Sequence, residues 1–227
     1  MKKLLTTTFF AAALLFSACA QQPQSSTASA DNVAYYQAMG QALGQWQGAK
    51  TPEDRQALVN SFDRIAATMP EEWLPVYYSA LIQLQDATKL PAASAEQDKA
   101  INKVLVMVED QLTKHPNNSE LLALKGYRHM MYVAANPMAR GQQYSGMAIA
   151  ALQQAIQADD TNPRAYYLLG QMKLGMARFM QSSTDEACSL LNKAVSLYAE
   201  EEDVQSLAPS WGKNAAIEAS AQCTTTN

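Results

Sequence analysis

Long hydrophobic runs are nearly absent from this 227-residue chain. The one mostly apolar stretch without charge, Leu4 to Phe16, has 13 residues, where a bilayer-spanning helix needs ~20. Alternating Val, Ile and Thr runs bounded by turns are missing too, which removes the pattern of a half-buried sheet. Histidine is scarce: His115 stands in a turn and His129 in a helical stretch, neither with a partner at metal-ligand spacing, and there is no HExxH or CxxC. The phosphate-binding loop, the dinucleotide glycine fingerprint and the G-x-S-x-G elbow are also absent, so no catalytic residue, metal site or cofactor is assigned. Glu71-Glu72 and Asp159-Asp160 are adjacent acids at helix starts, where they complement the helix dipole and point apart.

Positive charge is in deficit. Seventeen Lys and Arg face 21 Asp and Glu, and loss of Lys2 and Lys3 with a leader leaves 15 against 21, a net charge of −6. That balance excludes a nucleic-acid grip or a polybasic hold on anionic lipid. Glu200 to Asp203 is the one acidic run, and reads as a solvated helix end.

What is present begins with an address. Lys2-Lys3, the apolar stretch and the small residues Ser17-Ala18-Cys19-Ala20 have the layout of a secretory signal peptide over residues 1–20. Ala18-Cys19-Ala20 fits an ordinary cleavage site, and Phe16-Ser17-Ala18-Cys19 also resembles a bacterial lipobox with Cys19 as the lipidated residue; both outcomes stay open. Either places the chain outside the cytoplasm, in the periplasm or attached to the outer membrane, with membrane contact only through a lipid on Cys19. Residues 21–32 are polar and poor in large apolar side chains, and are expected to form a disordered tether.

The rest is rich in Ala, Leu, Gln, Met, Glu and Lys, which favours an all-α fold. Punctuation predicts helices at Val33 to Gln47, Pro52 to Thr68, Glu71 to Lys89, Ala95 to Lys114, Ser119 to Ala135, Gln143 to Ala158, Pro163 to Met180, Asp185 to Glu200 and Pro209 to Gln222. Thr51, Ser94 and Ser182-Ser183-Thr184 are expected caps, and Asn136 to Gly141 a long connection. Gly40, Ala80, Gly126 and Gly170 recur at intervals of 40, 46 and 44, and the breaks at Pro70, Pro116 and Asp160 at 46 and 44. A helical repeat follows from the two rulers agreeing.

The clearest copy is NPRAYYLLG from Asn162, followed by ACSLLNKA from Ala187. Tyr166, Leu169 and Gly170, then Ala187, Leu191 and Ala194, resemble the tetratricopeptide repeat family. Leu122 and Gly126, then Ala148, Leu152 and Ala155, give a second copy. Val76 and Ala80 with Val104 and Val108 are looser, Gln111 standing where Ala is expected; Tyr36, Met39, Gly40 and Phe62 are looser still. The spacing is longer than the family's unit of about 34 residues, which leaves another α-solenoid or a compact bundle as rivals.

The resemblance implies a right-handed α-solenoid of about four helix-turn-helix hairpins over residues 33–200, a capping helix within 201–223 and a tail at 224–227. It also implies a non-catalytic scaffold of the bacterial cell envelope that binds a protein or peptide in a concave groove. Family geometry turns Tyr77, Leu81, Tyr127, Met130, Arg164, Tyr167 and Gln171 toward that groove, along with Gln37, Gln41 and Leu84; Leu81, Leu84 and Met130 can equally be core. An envelope enzyme accessory or thiol-redox protein is the alternative. Two cysteines remain after Cys19, and a cap folding back over the last hairpin would join Cys188 to Cys223; two free buried thiols is the other reading. Leu207, Trp211, Ala215, Ile217 and Ala219 are expected to cover the final hairpin, with Trp211 a packing anchor.

Overall fold

A computed structural model describes residues 25–201 and 206–223. Among them are nine helices and no strand: α1 (Ser25–Trp46), α2 (Pro52–Thr68), α3 (Trp73–Ala87), α4 (Ala95–Lys114), α5 (Ser119–Ala135), α6 (Pro137–Ala158), α7 (Pro163–Met180), α8 (Asp185–Glu200) and α9 (Lys213–Ala221). The expected leader, Cys19 and the tail lie outside the described residues, and no described helix is long and apolar enough to cross a membrane.

Local chemistry sets most of the boundaries. Thr51 and Asp54 form a reciprocal capping box ahead of Pro52. Ser94 Oγ accepts from the Gln97 amide, while the Gln97 side chain, buried, accepts from the Ala93 amide and donates to the Ala87 carbonyl, tying α4 to the end of α3. Asn118 and Asn162 cap α5 and α7 in the same way. Thr184 makes no side-chain cap; Ser183 accepts the Asp185 amide instead.

Three boundaries depart from expectation. The helix read as starting at Val33 begins at Ser25, inside the segment read as a tether, because the alanines there are strong helix formers. The connection read from Asn136 to Gly141 is helix: Asn136 ends α5 and caps α6, Pro137 takes the first helical position, and Arg140 makes two hydrogen bonds of 2.7 and 2.8 Å to Asp98 on α4. Gly141 sits within this first part of α6 with nothing for a Cβ to meet, so its permissiveness is not used. The last helix begins at Lys213 rather than Pro209, since Gly212 turns the chain with φ +103.

Consecutive helices pack in pairs and then onto the next pair, and the first helices α3, α5 and α7 also touch one another directly. The repeated small residues explain how. A Cβ on Gly126 would lie 2.5 Å from Leu152 Cγ, and one on Gly170 2.8 Å from Leu191 Cγ. Each glycine thus receives the leucine that its own hairpin's second helix presents, at equivalent positions of two units. Ala80 occupies the corresponding buried position in α3. The first hairpin does not follow. Gly40 is exposed with open space around it, Tyr36 faces solvent, and Tyr35, Met39 and Ala42 form the buried stripe instead, so the match of Tyr36 and Gly40 to the repeat is out of register.

These contrasts predict opposite effects for one substitution. Gly126→Ala and Gly170→Ala should each cost roughly 1–3 kcal/mol through overpacking, whereas Gly40→Ala should stabilise by about 0.5–1 kcal/mol through helix propensity. Chemical denaturation of the three variants checks both signs.

Candidate binding face and the segment that lies on it

Aromatic rings join α3 to α1 and α2, and Tyr127 on α5 and Tyr167 on α7 lie partly exposed beside them. Trp73 meets Tyr77 edge-on at 5.5 Å, Tyr77 meets Tyr78 edge-on at 5.4 Å, and Tyr78 stacks on Phe62 and takes the edge of Trp46, both at 5.4 Å. Across the face of α3, α5 and α7 runs a segment without helical periodicity, residues 206–212. Tyr78 donates to the Leu207 carbonyl at 2.7 Å, Pro209 is buried, and the Trp211 indole N–H donates to Tyr77 Oη at 2.8 Å. The Trp211 ring stacks on Tyr127 with centroids 6.1 Å apart and an angle of 27°. Tyr198 donates to the Trp211 carbonyl at 3.0 Å. Gly212 follows in a left-handed conformation against Tyr198 and Tyr167, where a Cβ would strike the Tyr198 hydroxyl.

Beneath this segment lies a charged pair. Arg164 Nε donates to Glu120 Oε1 at 2.6 Å and Nη2 to Glu201 Oε1 at 2.8 Å, with the Arg164 side chain 6% exposed. Tyr77 donates to the second Glu120 oxygen at 2.8 Å. A relay therefore runs from Trp211 through Tyr77 and Glu120 to Arg164, linking the segment to α3, α5 and α7. Burial pushes the Glu120 carboxyl up and Arg164 beside it pulls it back. Glu201, expected in a solvated run, is a partner in this network.

The residues read as groove-facing divide accordingly. Tyr127, Met130, Tyr167 and Gln171 are partly exposed along α5 and α7. Tyr77, Leu81 and Arg164 are interior, as is Leu84: the 206–212 segment covers Tyr77, the charge network engages Arg164, and Leu81 and Leu84 belong to the core. Gln37 and Gln41 face solvent on α1. Trp211, Leu207, Tyr198 and Glu120 were not identified as parts of this face from sequence. The usable signal was a tryptophan followed by glycine in a stretch lacking helical period, which a partner-free loop does not need.

Helix α9 packs on α8. Cys188 and Cys223 are joined, with Cα atoms 5.6 Å apart. Ala216 and Ala219 are the buried side chains of α9, while Ala215 and Ile217 face outward, because the helix starts four residues later than the sequence suggested. Among the described residues no group of His, Cys, Asp and Glu is arranged to hold a metal ion.

His129 is 1% exposed. Arg128 Nη1 lies 3.0 Å from His129 Nδ1, which must accept since guanidinium only donates. Burial first, then the Arg128 charge, hold its pKa down to about 4. A depressed pKa means stability present above the ordinary histidine value of about 6.5 and lost as pH falls from there through 4. Thermal denaturation should show a loss on the order of 2–3 kcal/mol over that window, and His129→Gln should flatten it.

Repeated helical hairpins, glycine crossings and a stapled end cap define a tetratricopeptide-like helical solenoid. No family model matches the chain, and no curated protein matches it. Among solved structures it is similar to the HusA haemophore from Porphyromonas gingivalis, with 26% identity and TM-score 0.75 over 86% of this chain and 96% of that one. It is also similar in fold to a thermophilic TPR protein from Thermus thermophilus, with 15% identity and TM-score 0.57 over 83% and 89%.

Proposed function

We propose that this chain is a non-catalytic binding protein that acts outside the cytoplasm and carries a flat aromatic cargo of the iron-porphyrin type on the face of α3, α5 and α7. The observation that carries this reading is the likeness to a haemophore, at 26% identity and TM-score 0.75 along 96% of that protein's length. Tyr127 and Tyr167, partly exposed on α5 and α7, supply ring faces for a macrocycle. A joined cysteine pair suits an oxidising compartment, as does the leader pattern, with a lipid on Cys19 as one form of the mature chain.

Burial raises the phenols of Tyr77, Tyr78, Tyr127, Tyr167 and Tyr198 above their ordinary value, so they stay protonated at neutral pH. His129 is engaged by Arg128. The ring faces of Tyr127 and Tyr167, partly exposed on α5 and α7, are the contact on which this reading rests.

Titration with iron(III) protoporphyrin, read in the Soret band, tests the reading. Saturable one-to-one binding is expected, weakened at least tenfold by Tyr127→Ala and by Tyr167→Ala with helical content retained. Binding that is absent, or indifferent to both substitutions, contradicts it. A second reading, a scaffold for an extended peptide of the cell envelope, is favoured by one observation: a stretch of the chain itself already lies on this face.

A further inference from the structure

The segment 206–212 is held on the aromatic face by side chains of that face more than by its own structure. Two of its three anchoring hydrogen bonds come from tyrosine hydroxyls to backbone carbonyls, Leu207 and Trp211, and the third runs from the indole to Tyr77. A carbonyl acceptor and a ring that stacks are features that an external ligand also presents. Downstream, α9 has nine residues, shorter than the ~12–15 at which an isolated helix is even marginal. Its buried side chains are two alanines. Beyond it the chain is fastened by Cys223 to Cys188. The bond therefore does for this end what a hydrophobic face does elsewhere in the fold.

We propose that residues 206–212 are an intramolecular plug: they occupy the binding face in place of cargo, cargo displaces Trp211 from Tyr127 and Tyr77, and the Cys188–Cys223 bond sets how readily the plug leaves. The identity of the cargo rests on the carrier reading above; the release of the plug does not. Opening the bond takes two electrons and two protons from a dithiol, giving two cysteine thiols and the dithiol's own cyclic disulfide. The freed α9 then keeps its two buried alanines, the Ser220 hydroxyl bond to Asn192 on α8 and the Arg178 bond to Gln222 but no covalent hold, and the plug loses its tether on the far side of Trp211.

Fluorotryptophan labelling tests this in the full chain, which has three tryptophans; Trp211→Phe assigns the resonance of Trp211. Two perturbations are applied separately: saturation with diamagnetic gallium(III) protoporphyrin, and reduction with a dithiol. In both, the Trp211 fluorine should take the solvent-isotope shift of a free indole, and on reduction Trp46 and Trp73 should stay unmoved. Cys188→Ser/Cys223→Ser should show the same free resonance without reductant. Trp211→Phe, which keeps a stacking ring and removes the bond to Tyr77, should bind porphyrin about fivefold more tightly; a purely structural tryptophan would leave binding unchanged or weaken it.

A Trp211 resonance that stays put while porphyrin saturates overturns displacement and leaves the carrier reading standing. One that stays put on reduction and in the double serine variant overturns the role of the bond. If no porphyrin binds in any state, the carrier reading fails, and the reduction arm alone decides whether the plug can leave.

Discussion

Arg164→Met is expected to destabilise the fold by roughly 3–5 kcal/mol, the usual consequence of leaving a buried carboxylate without its cation. The Arg164 side chain is 6% exposed and its partner Glu120 13%, and no other cation among the described residues bonds Glu120; Tyr77 supplies one hydrogen bond. Removing the guanidinium also releases Glu201. Adding Glu120→Gln should restore a substantial part of the loss, because a neutral amide needs no counter-charge, and the double-mutant cycle isolates the coupling. The deficit of Arg164→Met should shrink in acid. Without its cation Glu120 titrates at a raised pKa, so the folded state binds the proton more tightly than the unfolded chain, and stability falls as pH rises through that value. Urea unfolding of the single and double variants at pH 5 and pH 8 measures both effects.

Loss of the Cys188–Cys223 bond should come next in size. Its sequence separation of 35 corresponds to ~3–4 kcal/mol of lost constraint on the unfolded chain. For a chain of this length that is a fall in melting temperature of roughly 10 °C. Cys188→Ser/Cys223→Ser, followed by differential scanning calorimetry against the oxidised parent, gives the number. The effect should be global in melting temperature but local in structure, confined to α9 and the segment before it.

Much of the architecture was legible because it rests on local chemistry. Thr51 with Pro52, Asn162 with Pro163, and Ser94 are start signals that act within one turn, and α2, α4, α5, α7 and α8 begin and end where those signals place them. Gly126 and Gly170 were legible for a related reason: each meets a leucine of its own hairpin. Gly40 carried the same letter without the same neighbour, since the first hairpin buries Met39 rather than packing on its glycine. Asn136-Pro137 was misread as a connection because one asparagine both ends α5 and caps α6, leaving no loop between them.

The face of α3, α5 and α7 was legible only in part, for a physical reason. Helical spacing from Gly126 and Gly170 marks which side chains of α5 and α7 share a side, and Tyr127, Met130, Tyr167 and Gln171 remain partly exposed there. It carries no information on what crosses that side. Trp211 reaches Tyr77 over a sequence separation of 134, and Tyr78 reaches Leu207 over 129; contacts of that range follow from the closure of the whole solenoid. Glu120 stands in the first turn of α5, where an acid is accounted for by the helix dipole alone, and only the packing of α7 beside it makes it the centre of a buried network.

The most direct measurement is a paired titration of the oxidised protein with iron(III) protoporphyrin and with iron-free protoporphyrin under identical conditions. A cargo held by ring faces binds in both forms with dissociation constants within about threefold of each other, a difference worth less than ~1 kcal/mol. Saturable binding of the iron form alone would show that a metal ligand, not the ring faces, does the holding, and binding of neither would show that the face is not a porphyrin site.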